Sequence, residues 1–340
     1  MKLLALLVVC QLLPAQGVDV VWMLDGTALR GTVAVAGSTL VVAAAAGRPQ
    51  TVKRGALLAW IPAGAPLALT LAVEHLRAGE PGAAARFAAL ALDQAAALQT
   101  QMAARYVLGR ARICLGHDAA AESALSKIAW PQQDGPLALD ALHWCHTALA
   151  RYAGAPAAAA LLLRATRHEA FARLEQDEAV LLRLAEATAL GASGALADAE
   201  ALLEKLFAGA SGSLSTEQQM LLAVARVKVL RAAGVRVDQA LQRLRAFPGG
   251  AASREAALLE AEDHCRLGRP EQALHLMADQ AGPAHDARNT LLCARATLLL
   301  AAAGEERLRL AGLAQLRSCA NRCEDPLSAG SAARLLRGDS

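Results

Sequence analysis

Apolar and polar positions follow two different patterns along the chain. From Val18 to about Pro62, short apolar runs alternate with turn signals such as Asp25-Gly26 and Gly47-Arg48-Pro49. Short runs between such turns are typical of antiparallel strands. The sequence therefore predicts four or five strands that form a small antiparallel β meander or barrel over residues 18–62.

After residue 62, apolar positions recur at helical spacing, and seven glycines interrupt them at intervals of 37, 38, 40, 40, 34 and 36 residues. A nearly fixed period of this size is typical of stacked helical hairpins, with one hairpin per repeat. We therefore expect helical hairpins over 63–320 and a polar C-terminal tail over 321–340. The seven glycines are Gly79, Gly116, Gly154, Gly194, Gly234, Gly268 and Gly304.

Three further positions repeat with the glycine. A small residue precedes it by seven positions, an alanine usually follows it by five, and a large apolar residue usually follows it by nine. This spacing resembles the tetratricopeptide repeat (TPR), with the best copies at Leu108 to Ile128 and Ala261 to Met277. The resemblance implies a mainly α fold, namely a right-handed α-solenoid of about seven helical hairpins that follows the β segment.

The fifth and the last repeat depart from this pattern. Gln239 and Arg243 stand where the fifth repeat would have its alanine and its large apolar residue, and a shift of one residue is needed to place Ala240. Arg309 replaces the alanine of the last repeat, which indicates a cap. Most periods are also longer than the roughly thirty-four residues of the family. A TPR-like array of helical hairpins is therefore the description that the residues support.

The β segment resembles the small SH3-like or Sm-like barrels that precede the repeats of some secreted proteins. Its turns at Asp25-Gly26 and Gly47 and its strand at Leu40-Val41-Val42 carry this resemblance. Such barrels bind peptides or nucleic acid, but the only aromatic residues here are Trp22 and Trp60, and the cations are scattered. Without a platform on which bases stack, we expect this segment to have a packing or docking role.

The amino terminus is typical of a secretory signal peptide. Lys2 is followed by an apolar run from Leu3 to Leu13, then by Pro14 and small residues up to Gly17. The run is too short to span a bilayer, which favours cleavage after Gly17 and a secreted or periplasmic chain. A lipid anchor through Cys10 is the less favoured alternative, since the preceding residue is a valine. A buried cytosolic helix is another alternative.

Composition narrows the class of partner. The chain has 34 Lys and Arg against 31 Asp and Glu, a formal net charge of +3, so no nucleic acid partner is indicated. Hydrophobic residues make up 55% of the chain, but no uncharged apolar run reaches eighteen residues. After signal cleavage we therefore expect a protein that is not integral to a membrane.

Few residues suggest catalysis. His143 and His146 lie one turn apart on a predicted helix, but two ligands alone make a poor metal site. Glu262, His264 and Cys265 lie close in sequence, but neighbouring residues of a helix point in different directions. No hydrolase, phosphate-binding or dinucleotide motif is present. We predict no enzyme and no cofactor, with a metal-dependent enzyme centred on His143 and His146 as the distant alternative.

Six cysteines remain after the predicted cleavage. If the last hairpin folds back at Gly304, Cys293 comes near Cys319 and Cys323, which predicts a disulfide from Cys293 to one of them. Such a bridge would stabilise the last repeat by about 3 kcal/mol. The alternative is that all six are small core residues.

In TPR arrays, the first helix of each hairpin lines a concave groove, and residues about six and ten positions before the loop glycine point into it. The resemblance therefore implies a non-catalytic scaffold that binds a protein or peptide of the cell envelope. The alternative is a binder of a hydrophobic small molecule or a cell-envelope polymer. The aromatic and charged residues expected to bind the partner are Tyr106, Arg110, Lys228, Arg231 and Glu262.

Overall fold

A computed structural model describes residues 17–36, 39–44, 47–52, 56–129, 136–168, 176–209, 215–248, 250–279, 287–301 and 305–338. Residues 1–16 of the predicted signal peptide, among them Cys10, and the loop glycine Gly304 lie outside these ranges. The described part contains five strands and fifteen helices, which confirms the predicted mainly α fold with antiparallel strands before it.

The strands are β1 (Asp19–Met23), β2 (Ala28–Ala36), β3 (Thr39–Ala43), β4 (Gln50–Val52) and β5 (Leu57–Ile61). The helices are α1 (Leu67–Arg77), α2 (Pro81–Gln94), α3 (Leu98–Cys114), α4 (Asp118–Ala129), α5 (Pro136–Tyr152), α6 (Ala155–Thr166), α7 (Gln176–Ala192), α8 (Leu196–Gly209), α9 (Thr216–Ala232), α10 (Asp238–Arg245), α11 (Gly250–Arg266), α12 (Pro270–Asp279), α13 (Ala287–Ala301), α14 (Glu306–Ala320) and α15 (Pro326–Arg337). The chain divides into two compact units, Met1–Cys145 and His146–Ser340, and the division falls within α5.

The sheet of the first unit is an antiparallel meander with the strand order β4-β3-β2-β1-β5. The β1–β2 turn is formed by Asp25 and Gly26, as the sequence predicts. Gly26 has a φ of +87°, a conformation that favours glycine, and the Asp25 carboxylate accepts a hydrogen bond from the Thr27 amide at 2.9 Å.

The sheet packs against the first helices of its own unit. β5 is buried along its whole length and contacts α1 and α3. The Arg77 guanidinium of α1 lies 4.0 Å from the ring centroid of Trp22 on β1, a cation–π contact. The sheet therefore covers apolar surface that the first two hairpins would otherwise expose to water.

Each loop glycine in the described ranges ends the first helix of a hairpin. The six φ values lie between +68° and +93°, a range that favours glycine. At Gly79, the amide donates to the Leu76 carbonyl and the next amide donates to the His75 carbonyl. This pair of bonds is the Schellman motif, and it explains why glycine recurs at this position.

The repeated small residues let the two helices of a hairpin approach closely. Gly109 of α3 faces Leu125 of α4 so closely that an added Cβ would lie 2.4 Å from the leucine Cγ. The alanines five positions after the loop glycines are buried as well, for example Ala84, Ala121 and Ala199. The row expected to be large and apolar includes the buried Leu125 and Leu203 and the exposed Arg243.

In the second unit, the first helices of successive hairpins lie side by side, because α9 contacts both α7 and α11, and α11 contacts α13. Apolar clusters run between these helices and their hairpin partners. We refer to the surface formed by α7, α9, α11 and α13 as the first-helix face.

The predicted C-terminal tail is wrong as a description of residues 321–340, because most of this segment forms α15. The Asp325 carboxylate caps the helix by accepting from the Ser328 amide, and Ala329 and Ala332 are fully buried. α15 packs against α13 and α14. Arg151 of α5 also donates to the Leu327 carbonyl at 3.1 Å, so α15 contacts α5 as well as α13 and α14.

Across the described ranges, no helix combines the length and the apolar character needed to cross a lipid bilayer.

Candidate functional site

Three of the five residues predicted to bind a partner lie together on the first-helix face. Lys228 and Arg231 belong to α9, and Glu262 belongs to α11. They form one group with three residues that the sequence analysis missed. We call the group the charged cluster, and its members are Lys228, Arg231, Glu255, Glu262, Asp263 and Arg288.

Ion pairs across three helices hold the charged cluster in place. Arg231 donates to Glu262 at 2.6 Å and to the Leu259 carbonyl at 3.1 Å. Arg288 of α13 donates to Glu255 at 2.7 Å and to Glu262 at 2.8 Å. Because Glu262 accepts from arginines of two other helices, it fixes the lateral register of α9, α11 and α13.

The protonation state of the cluster follows from its partial burial. Burial alone would raise the pKa of Glu262, but Arg288 and Arg231 outweigh it and hold the pKa below its ordinary value. Burial alone would lower the pKa of Arg288, but Glu262 and Glu255 raise it. Both side chains are therefore charged at neutral pH, and each retains about a quarter of its surface exposed, 24% for Glu262 and 26% for Arg288.

Lys228 differs from the rest of the cluster. It is partly buried, and no side chain in the described ranges forms an ion pair or a hydrogen bond with its ammonium group. Burial, with a further contribution from Arg288, lowers its pKa. Losing water without gaining a partner is costly for an ammonium group. The site therefore has a cation whose interactions within the chain are incomplete.

Tyr106 and Arg110, the other two residues predicted to bind a partner, are buried in the first unit, with 0% and 2% of their surfaces exposed. Arg110 donates to the β5 carbonyls of Leu57 and Leu58 at 3.3 and 3.4 Å. Tyr106 donates to Asp140 at 3.2 Å. β5 thus covers Arg110, and α5 covers Tyr106 through Asp140 and Trp144, so neither side chain is available to a partner.

The six cysteines that the structure describes are in the thiol form. Cys293 packs against the cluster formed by α11, α12 and α13, and its Sγ lies 3.4 Å from Asn289 Oδ1. Cys319 belongs to the cluster on the other side of α13, with Ala294, and its Sγ donates to the Ala287 carbonyl. Adjacent residues of α13 thus face different clusters, and no disulfide joins Cys293 to Cys319 or Cys323.

His143 is exposed and His146 is partly buried, next to Thr147. Among the residues that the structure describes, no three His, Cys, Asp or Glu side chains are grouped as metal ligands would be. Burial, together with Glu122, raises the pKa of Cys145 to about 12, so this thiol is not activated as a nucleophile.

One sequence signal could have identified Glu255, one of the two missed acids. Glu255 and Glu262 are seven residues apart, which places both on one side of α11. Arg288 gives no comparable signal, because its partners come from a different hairpin. Comparison of the whole chain with models of known protein families and with curated proteins found no match in either case.

Proposed function

We propose that this protein is a non-catalytic, extracytoplasmic scaffold that binds an extended protein or peptide segment on the first-helix face of its second unit. The charged cluster is the recognition site, and Lys228 makes direct contact with the bound segment. In this proposal, the hairpins stack as they do in TPR arrays and thereby form the binding surface. The β segment packs against the first helices and does not bind the partner.

An internal comparison between two hairpins supports this proposal. Arg110 and Lys228 occupy the same repeat position, six residues before Gly116 and Gly234 respectively. In the second hairpin, a strand of the same chain contacts this position, and Arg110 donates to two of its backbone carbonyls. In the fifth hairpin, the equivalent Lys228 is partly exposed and has no such acceptor. The contact of Arg110 with β5 supports the proposal that Lys228 binds an extended backbone in the same way.

The chemistry of the cluster determines what the segment must offer. A lysine ammonium donates up to three hydrogen bonds, and carbonyl oxygens or a carboxylate are suitable acceptors. The neighbouring arginines and acids are already fixed by ion pairs, so binding costs them little side-chain entropy. We therefore expect an extended segment whose backbone carbonyls or acidic side chains reach Lys228.

A selection experiment tests the proposal. The full chain is used to select from a random peptide library displayed on phage, and synthetic copies of the selected peptides are titrated by calorimetry into the wild-type chain and into Lys228→Met. The variant keeps the aliphatic length but removes the charge. Lys205→Met is the matched control, because Lys205 is an exposed lysine on α8.

We expect Lys228→Met to weaken peptide binding and to stabilise the fold. Peptide affinity falls about tenfold in Lys228→Met, which corresponds to the loss of one charge-assisted hydrogen bond. The free energy of unfolding rises, because the variant no longer desolvates a charge. The control, Lys205→Met, should change neither the peptide affinity nor the free energy of unfolding. A failure to select any peptide, or equal affinity of the selected peptides for wild type and Lys228→Met, contradicts the proposal.

The proposed location rests on Lys2, the apolar run from Leu3 and the small residues up to Gly17. Mass spectrometry of the chain recovered from its native host tests it. A mature protein that begins at Val18 is the expected result. An intact amino terminus in a cytosolic fraction, or acylation at Cys10, contradicts it.

A further inference from the structure

A second site lies on another side of α9, away from the charged cluster. A cleft of about 720 Å³ opens between α8, α9 and α10, and Phe207 of α8 and Phe247, just after α10, contribute apolar walls. Three arginines line the same cleft, namely Arg226, Arg236 and Arg243. We call it the arginine cleft. Its volume lies within the range of small-molecule sites.

The arginine cleft exists because the fifth hairpin departs from the others. α10 begins four residues after its loop glycine, Gly234, whereas α2, α4, α8 and α12 begin two residues after theirs. With eight residues, α10 is also the shortest helix in the described part of the chain. A delayed and shortened second helix leaves a gap beside α8 that a full-length helix would fill.

The sequence departures of this hairpin line the gap. Gln239 and Arg243 stand where the repeat pattern has a buried alanine and a buried large apolar residue, and both line the cleft. Leu241 and Leu244 are buried in their place. The apolar packing of α10 is therefore complete without Gln239 and Arg243, which leaves both side chains available in the cleft.

The residues that the structure describes leave the positive charge of the cleft unbalanced. In the described ranges, no ion pair or side-chain hydrogen bond engages Arg226, Arg236 or Arg243. Glu204 is the acidic residue among the lining side chains, so the cleft has an excess of two positive charges. Three guanidinium groups beside two aromatic rings fit a ligand that joins an anionic head to an apolar body.

The geometry points to a binding site for a long-chain carboxylate, a fatty-acid-type amphiphile, in the arginine cleft. The carboxylate accepts hydrogen bonds from Arg226 and Arg243, and the alkyl chain packs between Phe207 and Phe247. This site is separate from the proposed peptide site and would remain if that proposal failed.

A fluorescence titration tests the inference. The probe is dansylaminoundecanoic acid, added to the full chain, and its methyl ester is the neutral comparison. The variants are Arg226→Gln with Arg243→Gln, and separately Phe207→Ala. Arg295→Gln is the matched control, because Arg295 is an exposed arginine of α13 outside the cleft. Circular dichroism and thermal melting verify that each variant is folded.

We expect the acid to bind at least about tenfold more tightly than its ester, since charge-assisted hydrogen bonds hold only the acid. The double arginine variant removes that preference, and Phe207→Ala weakens acid and ester alike. Arg295→Gln binds the acid as the wild type does. Equal affinity for acid and ester, unchanged binding of the acid by the double variant, or displacement of the probe by an acidic peptide but not by palmitate overturns the inference.

Discussion

Arg288 of α13 donates two hydrogen bonds to a single carboxylate oxygen of Glu262 on α11, from Nε at 3.0 Å and from Nη2 at 2.8 Å. The other oxygen of Glu262 accepts from Arg231 of α9. One acidic side chain thus connects the first helices of three successive hairpins. It stabilises the surface on which Lys228 lies.

The first prediction concerns the strength of this connection. Exposed ion pairs contribute up to about 1 kcal/mol, and breaking a fully buried pair costs about 3–5 kcal/mol. Since Glu262 and Arg288 are partly exposed, we expect a coupling energy of about 1–2 kcal/mol. A double-mutant cycle with Glu262→Gln and Arg288→Gln, measured by urea unfolding, gives this value. The exposed pair Glu306 and Arg309 is the control and should couple much more weakly. Equal coupling in the two pairs would show that the cluster does not connect the hairpins.

A second prediction follows from the lowered pKa of Glu262. A carboxyl group whose pKa is lower in the folded chain stabilises the fold above its unfolded pKa, and this contribution disappears as the pH falls through the folded value. The wild type should therefore lose more stability between about pH 5 and pH 3 than Glu262→Gln does. Urea unfolding at a series of pH values checks this. Parallel pH profiles for the two chains would show that the arginines do not lower the pKa.

The repeat architecture is predictable from the sequence because it depends on local rules. A glycine that ends a helix in the left-handed conformation must recur with each hairpin, and small residues must recur where two helices approach. Gly116 and Gly109 show both rules within one hairpin. Gly338, 34 residues after Gly304, ends α15 in this left-handed conformation, so the glycine pattern extends to a helix that the sequence analysis missed. Its apolar residues, such as Ala329 and Ala332, become informative only through contact with α13 and α14.

The candidate site is only partly predictable, because it depends on contacts between distant segments. The repeat spacing predicts that Lys228 and Glu262 lie on first helices of successive hairpins, and both lie on such helices. The family pattern placed Arg110 on an open groove, but β5 contacts that helix and binds its guanidinium. Nothing in the sequence near Arg110 indicates this contact. An arginine that is almost fully buried is rare, so the sequence alone favours exposure.

The third prediction concerns Tyr106. Burial, with a contribution from Asp140, raises the pKa of its hydroxyl far above the usual range. The chain has two tyrosines, so Tyr152→Phe leaves Tyr106 as the only one. In this variant, we expect no tyrosinate absorbance on raising the pH through about 10, and a sudden increase when the protein unfolds. Circular dichroism at the same pH values identifies the unfolding transition. Gradual ionisation of the folded variant would contradict the burial of Tyr106.

The last prediction tests the close approach of α3 and α4 at Gly109. In a helix, Gly→Ala usually stabilises a protein by about 0.5–1 kcal/mol. Here the added methyl group would lie 2.4 Å from Leu125 Cγ, so we expect Gly109→Ala to destabilise the chain by about 1–3 kcal/mol. Gly82→Ala in α2 is the matched control, because its added Cβ has no atom within 4 Å, and it should follow the usual rule.

A second substitution separates a steric clash from a general loss of stability. Leu125→Ala alone leaves a cavity and destabilises the chain by about 2–5 kcal/mol. Combined with Gly109→Ala, it removes the leucine atoms that the new methyl group would meet. The double variant should therefore be more stable than the sum of the two single effects, by a coupling energy of about 1–3 kcal/mol. Chemical unfolding of the four chains measures this energy. Simple additivity would show that Gly109 and Leu125 do not contact each other, and would leave the recurrence of small residues at this position unexplained.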